Sequence, residues 1–297
     1  MRIVIAGGTG FLGRALDQAL TRDSHEIVLL TRGAGDGRRA VRWRPNGQSG
    51  EWARALDGAA AVINLAGDSI AEGRWTAAKK QRILDSRVLA TRSLVTAIIE
   101  APSPPATFIS GSAVGYYGPH GDEIVTEDQA AGSDFLAGVC VRWEEEATRA
   151  ESRTRVARIR TGLVLSKDGG ALPPLLMPFR FGVGGPLGSG RQYWPWIHLK
   201  DWVDLVRFVI ATPAASGAVN ATGPNPVTNT EFTKVLGRAM HRPAFMPAPG
   251  FALRLALGEM ADALILSGQR AVPAKAERLG FAFSYPRLDQ ALPAVLN

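Results

Sequence analysis

Three glycines near the start of the chain are spaced so that they could hold the phosphates of a dinucleotide. Gly7, Gly10 and Gly13 follow one another at intervals of three residues. In the dinucleotide-binding pattern, the first glycine allows a tight turn, the second lets the backbone approach the pyrophosphate, and the third lets a helix pack close to a strand. Free amides at the start of that helix then bind the anion. The residues that we expect to contact the dinucleotide in this loop are Gly7, Thr9, Gly10, Phe11, Leu12 and Gly13.

The segments on either side of this loop have the patterns that such a site requires. Residues 2–6 form a short, apolar, β-branched run bounded by glycine, which predicts a buried strand. Residues 11–20 have helical spacing with no helix breaker after Gly13. A strand, a glycine turn and a helix in this order make the pattern a hypothesis about dinucleotide binding. The alternative is a glycine-rich turn that holds no ligand.

The end of the second predicted strand, residues 26–31, favours NADP(H) over NAD(H). A site that prefers NAD places a carboxylate here, on the ribose hydroxyls. This chain instead has Thr31 and Arg32, and its next acidic residue is Asp36. A carboxylate repels a 2′-phosphate, whereas an arginine can donate two hydrogen bonds to it. We therefore expect Thr31 and Arg32 to contact NADP(H); the alternative is that Arg32 only solvates a turn.

Further cofactor contacts are expected where the next two predicted strands end. Residues 60–66 form a buried apolar run that ends in a glycine, and small residues leave room there for the flat groups of the dinucleotide. Residues 75–100 are predicted to form a long helix with Thr76 as its N-cap. The next strand begins at Thr107. The residues that we expect to contribute here are Leu65, Ala66, Gly67, Arg87 and Ser110.

Hydroxyl groups follow directly after the strand that begins at Thr107, and they are the candidates for catalysis. In open α/β sheets, ligands bind at the carboxyl ends of the strands. Ser112 could bind a substrate oxygen there, and Tyr116 or Tyr117 could supply a proton. An unperturbed tyrosine has a pKa of about 10, so this role requires a cation nearby. The alternative for the two tyrosines is packing at a strand end.

The cation beside the tyrosines could be Arg142, Arg160 or His198. His198 is also a candidate catalytic residue in its own right. The alternative is that it is a hydrogen-bonded structural histidine. Asp201 is expected to cap the helix that begins beside it.

The order of the predicted elements indicates an α/β protein. Strands and helices alternate as far as residue 165, which predicts a Rossmann-type doubly wound parallel sheet. Glycine and proline then become frequent in residues 169–195, and the remainder consists of helical pieces, among them an amphipathic helix over residues 251–266. We therefore predict a dinucleotide-binding domain over residues 1–166 and a smaller, mostly helical substrate domain over residues 167–297. Later strands could rejoin the first sheet.

Composition limits the function classes. The net charge is +7, but the arginines are scattered, which argues against a nucleic-acid partner. The single cysteine, Cys140, excludes an intramolecular disulfide and fits a reducing compartment. The four histidines lack ligand spacing, so no metal is expected. No membrane span or targeting segment is visible. We expect a cytoplasmic monomer or homodimer that binds a small-molecule substrate and no membrane.

Several longer motifs resemble the extended, or epimerase-type, short-chain dehydrogenase/reductase superfamily. The detail is similar to an atypical subgroup known as the NAD-dependent epimerase/dehydratase family, which carries a C-terminal domain of unknown function. The resemblance covers nearly the whole chain and implies a Rossmann-type NADP(H) domain followed by a smaller substrate domain. The matching stretches are Gly7 to Gly13, Ile63 to Gly67, Gly73 to Thr76, Asp85 to Arg87, Ser112 to Gly118, Asp134 to Ala137, Arg160 to Gly162, Gly184 to Gly190 and Trp194 to Asp201.

One feature of the superfamily is missing from this chain. The resemblance implies a tyrosine with a lysine four residues later on one helix face, where the lysine lowers the pKa of the tyrosine. None of the four tyrosines has a lysine four residues later. Three hypotheses follow. The chain is an NADP(H)-dependent oxidoreductase or epimerase with another acid or base, or it is a catalytically inactive NADP(H)-dependent sensor or regulatory binding protein. In the third hypothesis the basic surface binds nucleic acid, which the lack of a basic cluster disfavours.

Overall fold

The computed structural model describes residues 1–34, 36 and 39–296, and these residues contain a central seven-stranded sheet. The strands are β1 (Arg2–Ala6), β2 (Glu26–Thr31), β3 (Ala40–Arg42), β4 (Ala61–Asn64), β5 (Thr107–Ala113), β6 (Ile124–Val125), β7 (Arg155–Thr161), β8 (Leu163–Leu165), β9 (Tyr193–Trp194), β10 (Trp196–His198), β11 (Gly217–Ala221), β12 (Val227–Thr228) and β13 (Arg270–Ala271). The α-helices are α1 (Phe11–Arg22), α2 (Ala77–Glu100), α3 (Phe135–Thr148), α4 (Leu172–Arg180), α5 (Leu199–Ala211), α6 (Asn229–Ala239), α7 (Gly250–Leu257), α8 (Glu259–Ala261), α9 (Ala274–Arg278) and α10 (Leu288–Leu296).

The order of the sheet confirms the prediction of a doubly wound parallel architecture. The strands lie in the order β3, β2, β1, β4, β5, β7, β11, and every neighbouring pair is parallel. The chain builds the sheet in one direction from β1 to β3 and then in the other from β4 onward. The direction therefore changes between β1 and β4, and such a switch point opens a crevice at the carboxyl ends of the strands. The glycine loop leaves β1 at this crevice.

Both faces of the sheet are covered, which explains the continuous apolar runs of its strands. Successive side chains of β1 point to opposite faces. Ile3 and Ile5 pack in the same core as Leu16 of α1 and Trp202 of α5. On the other face, Val4 packs in a core with side chains of α2 and α3.

A third core holds the C-terminal half together. It is built on α4, α6 and α10 and consists of Leu165, Leu172, Leu176, Phe179, Trp194, Trp196, Phe232, Leu236, Leu288, Ala291, Leu292 and Val295. The C-terminal region is thus mainly helical, as predicted. The chain still returns to the first sheet, because β11 pairs with β7. The division at residue 166 stays a prediction.

Two elements differ from the sequence prediction because of single glycines. The expected strand over residues 156–165 is split at Gly162, where a β-carbon would collide with the carbonyl oxygen of Pro195. The strand bends there, and β8 pairs with β10 in a separate small sheet. The expected helix over residues 251–266 ends at Leu257, since Gly258 has a φ of 64°. The chain continues through α8 into a π-helical turn, Asp262–Leu266.

Gly13 and Gly138 both lie in helices, but their surroundings predict opposite effects of a change to alanine on the free energy of unfolding. A β-carbon at Gly13 would lie 2.6 Å from the Cα of Gly8 and would also collide with the Gly7 carbonyl oxygen. We expect Gly13→Ala to lower the free energy of unfolding by about 1–3 kcal/mol. A β-carbon at Gly138, in α3, meets nothing within 4 Å. Gly138→Ala should raise stability by about 0.5–1 kcal/mol. Urea unfolding of both variants measures the contrast, and equal effects would contradict the close packing at Gly13.

Candidate functional site

The glycine loop has the shape that a dinucleotide cradle requires. Gly7 has a φ of 81°, and its carbonyl oxygen accepts a hydrogen bond from the amide of Gly10 at 3.0 Å. A β-carbon at Gly7 would lie 2.6 Å from the backbone of Leu65, so the turn after β4 closes on the loop. Thr9 and Gly10 are exposed at the start of α1. The residues present therefore fit the phosphates of a dinucleotide.

The turn after β4 lies beside this cradle and brings Arg87 to it. The Asn64 side chain accepts a hydrogen bond from the amide of Ala66 at 3.1 Å and shapes the turn. A β-carbon at Gly67 would lie 3.1 Å from the guanidinium carbon of Arg87. That guanidinium also stacks on Trp143, 5.4 Å from its ring centroid, and burial lowers the pKa of Arg87. A partly buried cation thus lies at the turn where a cofactor contact is predicted.

Phe11 and Leu12 take different positions from the exposed residues of the loop. Both are partly buried and pack on the first core. The Phe11 ring also faces the segment that enters the C-terminal half. A β-carbon at Gly169 would lie 2.7 Å from the ring, and one at Gly170 would lie 3.1 Å from it. The cradle therefore touches both halves of the chain through Phe11.

The end of β2 leaves an arginine available. Thr31 accepts a hydrogen bond from the amide of Gly33 at 3.2 Å, which fixes the turn. Arg32 is exposed, and within the described residues its guanidinium makes no hydrogen bond or ion pair. Arg39, which follows on the chain, is already paired with Asp17 at 2.6 Å. Arg32 can therefore receive an anion without breaking an existing contact.

Ser112 belongs to a buried charged network. It is the register partner of Arg160 in the neighbouring strand β7, so both side chains lie on one face of the sheet. The Ser112 hydroxyl donates to Glu144 of α3 at 2.6 Å. Arg160 donates to both oxygens of Glu144, at 2.8 and 2.9 Å. Burial alone lowers the pKa of Arg160, but its hydrogen bonds to Glu144 raise the pKa overall.

The two tyrosines lie on the same arginine and have different environments. The Tyr117 hydroxyl donates to Asn220 at 2.6 Å and accepts from Arg160 at 3.0 Å. Burial raises the pKa of Tyr117 to about 12, against the opposing effect of Arg160. Tyr116 is partly buried, with the guanidinium carbon of Arg160 only 3.5 Å from its ring centroid. Its hydroxyl makes no hydrogen bond to the rest of the described chain. Of the two, Tyr116 is the one with a free hydroxyl.

The face of α3 that looks toward the end of β5 carries no proton-transfer pair. Leu136 packs against Gly115: a β-carbon added at Gly115 would lie 3.4 Å from the Cβ of Leu136. Four residues later, Cys140 lies beside Ser112, and burial raises the pKa of its thiol to about 12. Glu144 follows after four more residues. A leucine and an inert thiol therefore occupy two positions four residues apart on this face.

The remaining predicted site residues make contacts outside this network. Ser110 is fully buried within β5, paired with Asn64 across the sheet. His198 is the N-cap of α5, because its Nδ1 accepts a hydrogen bond from the amide of Lys200 at 3.0 Å. Burial lowers the pKa of His198. The expectation that Asp201 caps this helix was wrong: Asp201 accepts from the amides of Ser284 and Tyr285 instead.

Sequence reasoning missed Glu144 and Asn220, which hold this network together. Glu144 begins a run of three glutamates, and such a run suggests a solvated helix face. The signal that could have identified it is helical spacing, since Ala137, Cys140 and Ala147 place it on the buried face. Among the described residues there is no cluster that could hold a metal ion. None of their helices is long and apolar enough to cross a bilayer.

The chain is similar to proteins of one family along nearly its whole length. The model of the "NAD dependent epimerase/dehydratase family" matches residues 3–221, and that of a domain of unknown function, DUF1731, matches residues 248–295. An epimerase family protein of Mycobacterium bovis, Mb2239, is 45% identical over 292 residues, which cover 98% of this chain and 96% of that protein.

Two solved structures share the fold at comparable identity. The human epimerase family protein SDR39U1 (isoform 2), crystallised with NADPH, is 34% identical with a TM-score of 0.92, and the match covers 99% of each chain. A nucleoside-diphosphate sugar epimerase from Corynebacterium glutamicum is 35% identical with a TM-score of 0.82, over all of this chain and 58% of that chain.

The buried network predicts a large difference between two adjacent glutamates of α3. Glu144→Ala leaves the Arg160 guanidinium buried without its partner, so we expect a loss of about 3–5 kcal/mol in the free energy of unfolding. Glu145 is exposed, and Glu145→Ala should change stability by no more than about 0.5 kcal/mol. Urea unfolding of the two variants makes the comparison. Equal losses would show that the ion pair contributes nothing beyond helix composition.

Proposed function

The chain belongs to the NAD-dependent epimerase/dehydratase family, as its motifs predicted, and on that premise we propose that it binds NADP(H) at the glycine loop. In this proposal the loop residues from Gly7 to Gly13 hold the pyrophosphate, and Arg32 holds the 2′-phosphate. The observation that carries the proposal is the cradle itself, in which glycines stand where side chains would collide and the amide end of α1 is exposed. The NADPH bound to the human relative supports the choice of NADP(H).

We further propose that the protein is an epimerase-type oxidoreductase acting on a small molecule. Bound nicotinamide supplies a two-electron acceptor or donor, and the protein must then move a proton at the substrate oxygen. Tyr116 is the candidate for that proton, because its hydroxyl is free and Arg160 lies over its ring. Ser112 lies at the end of β5, where it can accept a hydrogen bond from the substrate while donating to Glu144.

A second function, an NADP(H)-dependent sensor or regulatory binding protein without catalysis, is favoured by one specific observation. The hydroxyls of Ser112 and Tyr117 both donate inside the protein, to Glu144 and Asn220. A buried hydrogen bond to a carboxylate is costly to give up. Two of the candidate catalytic groups are thus committed to holding the fold together, which is what a site without turnover would show.

A free, buried Cys140 is compatible with a reducing compartment, so we propose a cytoplasmic protein. It acts as a monomer or a homodimer.

The contact to the 2′-phosphate predicts a selective loss of NADPH affinity in Arg32→Ala. Removing a charge-assisted hydrogen bond costs about 1.5–3 kcal/mol, so NADPH should bind roughly tenfold or more weakly, with NADH unchanged. Arg22, an exposed cation at the far end of α1, gives the matched control Arg22→Ala, which should leave both affinities unchanged. Nicotinamide fluorescence titrations measure the affinities of the wild-type protein and both variants for NADPH and NADH. Equal affinities of the wild-type protein for NADPH and NADH would contradict the role of Arg32.

Turnover measured with a panel of carbonyl compounds and nucleotide sugars distinguishes an enzyme from a sensor. If the protein is an enzyme, a carbonyl compound of the panel oxidises NADPH or a nucleotide sugar reduces NADP+, and Tyr116→Phe lowers that rate by roughly 100-fold or more while NADPH affinity is retained. Tyr193→Phe removes a hydroxyl elsewhere in the chain and should have no effect. Absorbance of the reduced nicotinamide follows the reaction. NADPH binding without turnover across the panel would favour the sensor.

A further inference from the structure

Two segments of the C-terminal half carry positive charge that no acidic residue of the same segment offsets. Residues 169–200 and 232–258 contain no aspartate or glutamate, and together they carry seven lysines and arginines. The whole chain has 34 basic and 27 acidic residues, so the remainder has 27 of each. These two acid-free segments therefore account for the entire formal net charge of +7.

The same two segments carry most of the exposed apolar side chains. Of the ten large hydrophobic residues that are well exposed among the described residues, seven lie in the acid-free segments. Phe181, Phe245, Phe251 and Leu255 are 73–77% exposed. Side chains so exposed contribute little to the fold and are costly in water. A cluster of them marks a surface that meets something else.

Backbone contacts bring these side chains together. The loop after α4 meets the segment after α6, where the amide of Met246 donates to the carbonyl of Gly184 at 3.1 Å. Two residues later, the amide of Ala248 donates to Pro186 at 2.9 Å, and α7 begins directly afterwards. We call the resulting cluster the apolar tip; its members are Phe181, Val183, Phe245, Met246, Phe251 and Leu255.

Helix α7 extends the apolar tip. Six of its eight residues are Phe, Ala or Leu, yet none of the eight is buried. Phe251 and Leu255 are four residues apart, so they share one face of the helix. Arg74, which precedes α2, donates to the carbonyl of Leu255 and holds the end of α7 against the first half of the chain. The exposed face of α7 therefore has a fixed position.

Four cations of the acid-free segments have no carboxylate partner among the described residues. Arg180, Arg191, Lys234 and Arg242 are all exposed, and none of them makes an ion pair with the described residues. In contrast, Lys200 and Arg254 at the edges of the segments pair with Asp204 and Asp262. Arg180 directly precedes Phe181 and Arg242 lies three residues before Phe245, and we call these two unpaired cations the basic rim of the apolar tip.

We propose that the apolar tip and its basic rim dock on an anionic lipid surface. Phenylalanine, leucine and methionine side chains enter the boundary between headgroups and acyl chains, while arginine and lysine remain at the anionic headgroups. A lipid surface is favoured over a protein partner because unpaired cations accompany the exposed apolar side chains. Exposed phenylalanines need only an apolar medium, whereas a protein interface requires a complementary shape and polar partners. The sequence prediction of no membrane partner considered spanning segments only, and this proposal revises it.

The test is co-sedimentation of the full-length protein with lipid vesicles. We expect binding to vesicles of equimolar phosphatidylglycerol and phosphatidylcholine, and little binding to phosphatidylcholine alone. Each basic residue near such a surface contributes about a fivefold gain, so Arg180→Glu with Arg242→Glu should weaken binding by roughly 25-fold or more. Phe245→Ser with Phe251→Ser should weaken it without changing the net charge.

The control is a double variant with the same change of charge elsewhere. Arg22→Glu with Arg44→Glu alters two exposed cations of the first half and should weaken binding far less. Circular dichroism and the thermal midpoint establish that each variant is folded. Vesicle binding is measured without NADP(H), so its outcome does not depend on nucleotide binding. No binding to the anionic vesicles, or equal losses in the two arginine variants, would overturn the proposal. A dimer in sedimentation velocity that Phe245→Ser abolishes would assign the apolar tip to self-association instead.

Discussion

The buried ion pair between Glu144 and Arg160 is the constraint on which the candidate site depends. It joins α3 to β7, and through Ser112 and Tyr117 it also fixes the end of β5 and, by way of Asn220, β11. A charge taken out of water is tolerated only when its partners satisfy it almost completely. The groups that surround this pair are therefore held in place because they compensate its charges. Among the described residues, Tyr116 is the tyrosine near Arg160 whose hydroxyl makes no such hydrogen bond.

The rest of the first half provides a place for a nucleotide beside this rigid region. The switch point between β1 and β4 opens the crevice, and glycines at the end of β1 allow the backbone to line it. Cradle and network lie at the same edge of one sheet, because β1, β4, β5 and β7 are parallel and neighbouring. The candidate catalytic hydroxyls therefore lie at the same edge of the sheet as the cradle. This protein differs from the superfamily that it resembles in α3, where Leu136 and Cys140 lie at that edge and the tyrosine–lysine pair is missing.

Much of this architecture can be read from the sequence, and the exceptions have physical causes. The glycine spacing, the apolar runs and Thr31-Arg32 are local patterns, so they predict the sheet, the loop and the cofactor preference. Glu144 escapes such an analysis, because its partners lie 32 and 16 residues away and come close only when α3 packs on β5 and β7. Gly162 and Gly258 interrupt elements that periodicity alone would continue. The exposure of the apolar tip cannot be predicted from the sequence either, since phenylalanines such as Phe245 and Phe251 are residues that a protein core usually contains.

The contact between Phe11 and the turn at Gly169 and Gly170 couples the two halves of the chain. The ring sits in a notch that exists only because those two residues lack side chains, and it belongs to the loop proposed to hold the nucleotide. The loop proposed to hold the nucleotide is therefore in direct contact with the C-terminal half. Coupling between two binding events is reciprocal, so any effect of the nucleotide on a ligand of the C-terminal half would equal the effect of that ligand on the nucleotide. Phe11 is the residue through which the cradle contacts that half.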